Sequence, residues 1–211
     1  MRFKSIAAVV GAMMFLATTG WASLTPSQIT WNFNNPAGTL GTSQTYTVDG
    51  ITLTAYGFSS ANNNTDLFGK NDGGDEDGLG LNSFPDHEIG GSGFVQLNVS
   101  PLLGQFNGGF LTIGSVQKGE TYDIWLSNTL GQLGTEIISN GTLDETQFSV
   151  NLLKGSPYVG ISAGNSGNVL LSSVSVDQTP EPASLALFGS GLILAAFLFR
   201  HQVREVRNIA A

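Results

Sequence analysis

Apolar and polar residues alternate with a period of two along most of the middle of the chain. Leu53 and Ala55 stand against Thr52 and Thr54, and Phe148, Val150 and Leu152 against Ser149 and Asn151. Successive side chains of a strand point to opposite faces, so this alternation predicts strands with one face in a core and one in water. Ten such segments are legible, at residues 29–33, 45–48, 51–58, 93–99, 108–114, 121–127, 135–139, 146–152, 158–162 and 168–176. Gly, Asn and Asp fall between them, and Asp49-Gly50 joins two of them as a two-residue hairpin turn. No stretch of the middle repeats at the helical period. The predicted fold class is all-β, a β-sandwich or jelly-roll-like domain over residues 23–178.

Both ends break the pattern. Arg2 and Lys4 precede an apolar run over residues 6–16, and Gly20-Trp21-Ala22 puts small residues at the −3 and −1 positions of a cleavage site before Ser23. Eleven apolar residues are too few to span a bilayer, so residues 1–22 read as a signal peptide, cut between Ala22 and Ser23 by signal peptidase. Near the other end, residues 183–199 carry no charge, and Arg200, Arg204 and Arg207 follow. Seventeen helical residues rise about 25 Å against a hydrocarbon core of about 30 Å, and basic residues after such a run stay in the cytoplasm. The expectation is one transmembrane helix over 183–199, a basic tail over 200–211 and an exported middle, so the chain meets the secretion machinery and the inner membrane. Pro180 and Pro182 disfavour helix at the residue before each, which holds Thr179 and Glu181 extended just outside the membrane.

Composition narrows the function classes. Between residues 23 and 178, three lysines face 14 carboxylates, about −11, and the whole chain carries −8. Nucleic acid and anionic lipid both need basic patches, so the middle is not expected to bind either. With no cysteine, disulfides, thiol catalysis and cysteine-zinc sites are excluded. At 41% hydrophobic and 11% charged residues, the composition is not that of a disordered chain.

The segment Thr179-Pro180-Glu181-Pro182-Ala183-Ser184, followed by the apolar run and the arginines, resembles the PEP-CTERM sorting signal of Gram-negative bacteria. The resemblance covers residues 179–211. It implies recognition by exosortase, an integral-membrane cysteine protease or transpeptidase, at Pro180, Glu181, Pro182, Ala183 and Ser184. It also implies transient anchoring, then release to the cell surface or beyond, and a link to exopolysaccharide and biofilm. A sortase signal would need Leu-Pro-x-Thr-Gly, and a lipid-anchor signal would lack the basic end. The stretches YTVDGITLTAYGF, KNDGGDEDGLGL and LLSSVSV resemble the ectodomains of other proteins with this tail, which implies a β-sandwich without assigned catalytic residues.

Candidate chemistry in the middle is sparse. Seven carboxylates lie between Asp66 and Glu88 among flexible glycines, a composition that suits Ca²⁺, a hard cation with six to eight oxygen ligands. Asp72, Asp75, Asp77, Asp86 and Glu88 are the candidate ligands, set against a plain solvated acidic loop. Asp75, Asp77 and Gly80 match EF-hand positions, but Leu79 and Asp86 do not. Residues 160–164 fit Gly-x-Ser-x-Gly, yet a strand rather than a helix follows Ser162, and His87 is the single histidine of the exported part. A glycosidase could work with two carboxylates alone, and Glu76 with Glu88 is a candidate pair that nothing in the sequence positions. Trp31, Tyr56, Tyr122, Trp125 and Tyr158 are candidates for stacking on sugars, with Trp31 and Trp125 expected in the core. Ice binding would want flat threonine arrays, and the threonines here are scattered. The expectation is a non-enzymatic exported surface or matrix protein. The alternatives are a carbohydrate-binding module, with or without calcium, and a secreted glycan-active enzyme.

Overall fold

The computed structural model describes residues 28–106, 108–149, 156–177 and 189–193. Residues 27–179 form one compact unit. Its strands are β1 (Gln28–Asn32), β2 (Gly38–Gly41), β3 (Ser43–Val48), β4 (Ile51–Ser60), β5 (Asn63–Asn64), β6 (Leu67–Asn71), β7 (Asp77–Leu81), β8 (Phe94–Asn98), β9 (Gly108–Gly114), β10 (Tyr122–Ser127), β11 (Thr135–Gly141), β12 (Glu145–Ser149), β13 (Tyr158–Ala163) and β14 (Leu170–Asp177). Each predicted strand is present to within a few residues at its ends. For the segment predicted over 146–152, residues 150–152 lie outside the described part. At Asp49-Gly50 both φ angles are positive, 50° and 77°, and Val48 pairs with Ile51, as a two-residue primed turn requires.

Two seven-stranded antiparallel sheets result. The first runs β12-β9-β14-β7-β6-β2, with β1 also on β14, and the second β11-β10-β13-β8-β4-β3, with β5 on β4. In five of the six ranks the facing strands are consecutive in sequence (β12 and β11, β9 and β10, β14 and β13, β7 and β8, β2 and β3), so the chain passes repeatedly from sheet to sheet. One hydrophobic cluster joins the inner faces. It takes Trp31, Leu79, Ile113 and Val174 from the first sheet and Leu53, Leu97, Ile124 and Ile161 from the second. This agrees with the predicted all-β sandwich.

Four strands escape the sequence pattern: β2, β5, β6 and β7. The last two fall inside the acidic segment, which is therefore not a plain solvated loop. Leu67, Leu79 and Leu81 are fully buried there. Gly69 follows Leu67 on the same face, and Gly78 and Gly80 alternate with Leu79 and Leu81, which depresses strand propensity. Gly80 has a tertiary reason, because a Cβ at that position would overlap the carbonyl oxygen of His87, where the following loop crosses the strand.

Candidate functional site

The expected sorting residues Pro180, Glu181, Pro182, Ala183 and Ser184, the arginines Arg200, Arg204 and Arg207, and the cleavage site Ala22–Ser23 lie outside the described residues. Of the apolar run 183–199, residues 189–193 are described, and they are helical. Among the described residues no helix is long and apolar enough to cross a membrane.

The acidic segment does not gather the five carboxylates expected to hold calcium. Asp77 accepts a 2.7 Å hydrogen bond from the Gly73 amide. Asp86 accepts one of 3.4 Å from Asn168 Nδ2. Glu88 turns inward to Lys70, whose Nζ donates to Glu88 Oε1 at 2.5 Å. Among the described residues no group of three or more His, Asp or Glu side chains is placed to hold a metal ion.

What the segment does build is an ion cluster. β6 carries Lys70, the single turn of 3-10 helix before β7 carries Glu76, and the loop after β7 brings back Glu88. Lys70 Nζ donates to both carboxylates. Glu76 Oε1 also accepts from Ser115 Oγ at 3.1 Å and from Gln117 Nε2 at 3.3 Å, two groups that follow β9. One ammonium thus serves two carboxylates, and their titrations diverge. The hydrogen bond from Lys70 holds Glu76 down at about 2, against its desolvation. Glu88, only 6% exposed, is pushed up by burial despite Lys70. Burial pulls the Lys70 ammonium down, but the hydrogen bonds to both glutamates outweigh it and raise it to about 12. Each glutamate of the candidate glycosidase pair is therefore committed to a lysine.

A pH dependence follows from Glu76. Its folded pKa lies below the ordinary 4.5, so it stabilises the fold above that pH, and this contribution disappears as pH falls through about 2. The shift corresponds to about 3 kcal/mol, reduced to about 1 kcal/mol because the side chain is partly in water. Glu76→Gln is expected to lower stability by that amount at pH 7 and to match wild type near pH 2. Urea unfolding at the two pH values checks this.

The aromatic candidates separate by face. Trp31 and Tyr122 are in the core, at 0% and 1% exposure. Trp125 is not in the core as expected: it sits half-buried on the outer face of the second sheet, where its Nε1 donates to Ser162 Oγ at 3.0 Å. Tyr56 and Tyr158 are half-buried on that same face. Part of it is roofed by residues 128–134. There the buried Gln96 donates to the Thr129 and Gln132 carbonyls at 3.2 and 3.0 Å and accepts from the Gly131 amide at 2.7 Å.

The outer face of the first sheet holds a cleft of about 280 Å³. Asn32, Asn34, Asp75, Thr112, Asp144 and Ser173, all with polar side chains, are among the residues that line it. Sequence reasoning named only Asp75 of these six. The available signal was weak: Thr112, Ser173 and Asn32 are polar positions beside the buried Ile113, Val174 and Trp31.

Residues 178–204 match the family described as the PEP-CTERM protein-sorting motif. No curated protein and no solved structure matches the chain.

Proposed function

We propose that the chain is an exported protein delivered to the cell surface or the extracellular matrix by exosortase, and that its β-sandwich acts there without catalysing a reaction. The match over residues 178–204 carries this reading, because that motif marks exported exosortase substrates. In this reading the apolar run 183–199 anchors the chain in the inner membrane until the enzyme acts on the motif at Pro180, Glu181 and Pro182. A role in the extracellular polysaccharide matrix accords with a middle segment that carries three lysines against 14 carboxylates. The non-enzymatic reading is supported by the engagement of Glu76 and Glu88 with Lys70 and by the position of Ser162 within β13, bonded to Trp125.

Intact-mass measurement on material from the native host tests the sorting. The mature protein is expected to start at Ser23 and to end near Pro182. Pro180→Ala with Pro182→Ala is expected to leave the tail in place and the protein in the inner-membrane fraction. A surface-exposed species that still ends at Ala211 would overturn the reading.

A further inference from the structure

We infer that the cleft on the outer face of the first sheet is a glycan-binding site that takes a polysaccharide without acidic groups and favours units bearing a protonated amine. The inference rests on the matrix reading above and gives it a site and a ligand class.

The cleft exists because the sheet is irregular at one place. β1 and β7 both lie along β14, with Asn32 opposite Ser173 and Leu79 opposite Leu171. Between these pairings sits Ser172, where the β9–β14 register shifts by a residue. Bulges of this kind open a sheet and re-aim side chains. Ser172 Oγ donates to the Asp77 carbonyl at 2.6 Å, its own carbonyl accepts from the Phe33 amide at 3.0 Å, and the Ser115 amide donates to the Asp75 carbonyl at 2.7 Å. These bonds fix the walls without using the side chains that face the opening.

Those side chains are free. No described residue makes a hydrogen bond or ion pair with the side chains of Asn32, Asn34, Asp75, Thr112, Asp144 or Ser173. Their mixture of amides, hydroxyls and carboxylates both donates and accepts, which suits sugar hydroxyls. Three of them form a cross-strand row, since Asn32 is opposite Ser173 and Ser173 opposite Thr112. Adjacent strands are about 4.8 Å apart, so hydrogen-bonding groups recur at nearly the length of one pyranose unit. In the next row Thr30 is opposite Ser175, and Ser175 opposite Phe110. Phe110 is half-buried on this outer face, and its neighbours Gly109 and Leu111 are buried. It offers a ring face beside the polar row.

Charge selects among glycans. Asp75, Asp77 and Asp144 line the cleft, and among the described residues no Lys, Arg or His does. A uronate would meet like charge there, and an amino sugar would meet opposite charge.

The test is calorimetric titration of the full chain in detergent micelles with three tetrasaccharides: β-1,4-linked glucosamine, its N-acetylated neutral form, and galacturonate. Glucosamine is expected to bind tightest, the neutral form more weakly, and galacturonate not at all. Asp75→Asn with Asp144→Asn is expected to reduce glucosamine affinity about five- to tenfold and to leave the neutral form within about twofold. Phe110→Ala is expected to weaken both by about five- to tenfold. Cooperative melting within a few degrees of wild type serves as the folding control for these variants. Binding of galacturonate as tightly as glucosamine, absence of binding by all three sugars, or binding that the three substitutions leave unaltered would each overturn the inference. Normal tail processing alongside any of these results leaves the sorting reading standing.

Discussion

Lys70→Met is expected to destabilise the sandwich by about 3–5 kcal/mol, because it leaves a buried carboxylate without its counter-charge. Glu88 is almost inaccessible, and Lys70 is the cation that holds it. With the ammonium gone, Glu88 and Glu76 face each other across the space it occupied. Removing both charges together should cost much less than removing one. Lys70→Met with Glu88→Gln is therefore expected to recover most of the loss, since Gln keeps the shape and can still hydrogen-bond. The deficit of the single variant should also shrink as pH falls, when Glu88 takes up a proton and no bare charge remains. Urea midpoints for wild type, both single variants and the double variant form the cycle that isolates this coupling. A Lys70→Met protein within about 1 kcal/mol of wild type at pH 7 would show that the cluster is hydrated and contributes little.

The second large effect concerns the two tryptophans of the sandwich. Trp31→Ala is expected to cost about 3–5 kcal/mol, and Trp125→Ala about 1 kcal/mol. Trp31 is fully buried on β1 of the first sheet, and its Nε1 donates to the carbonyl of Ile51 at 3.2 Å, on β4 of the second. Its removal opens a cavity between the sheets and strips a partly buried carbonyl of its donor. Trp125 lies half in water on an outer face, so truncation there exposes little and leaves no comparable void. Thermal melts resolve the difference, since the Trp31 variant should lose on the order of 10 °C. Equal losses for the two would mean that Trp125 is packed as tightly as the core.

The same pair shows where sequence reading stops. Trp31 sits between Thr30 and Asn32, so its alternation points it inward without ambiguity. Trp125 sits between Ile124 and Leu126, and three apolar residues in a row do not say which of them faces the core. The sheet decides: Ile124 pairs with Ile161 on the inner face, and Trp125 pairs with Gly160 on the outer. The acidic segment was misleading for a related reason. Glycine and aspartate are poor strand formers by themselves, yet β6 and β7 form because their leucines have a core to enter.

By itself the sequence determined ten of the fourteen described strands, the primed turn at Asp49-Gly50 and the sorting motif near its C-terminal end. These are local properties, set by a residue's own φ preference, by period-two alternation or by a short linear motif. Only the tertiary structure decided that Lys70 meets Glu88 eighteen residues away, that the candidate calcium ligands part company, and that Asn32, Thr112 and Ser173 share one cleft. Those juxtapositions depend on which strands lie side by side and where β14 bulges. Burial of all the inner faces at once selects that arrangement, and no single segment encodes it.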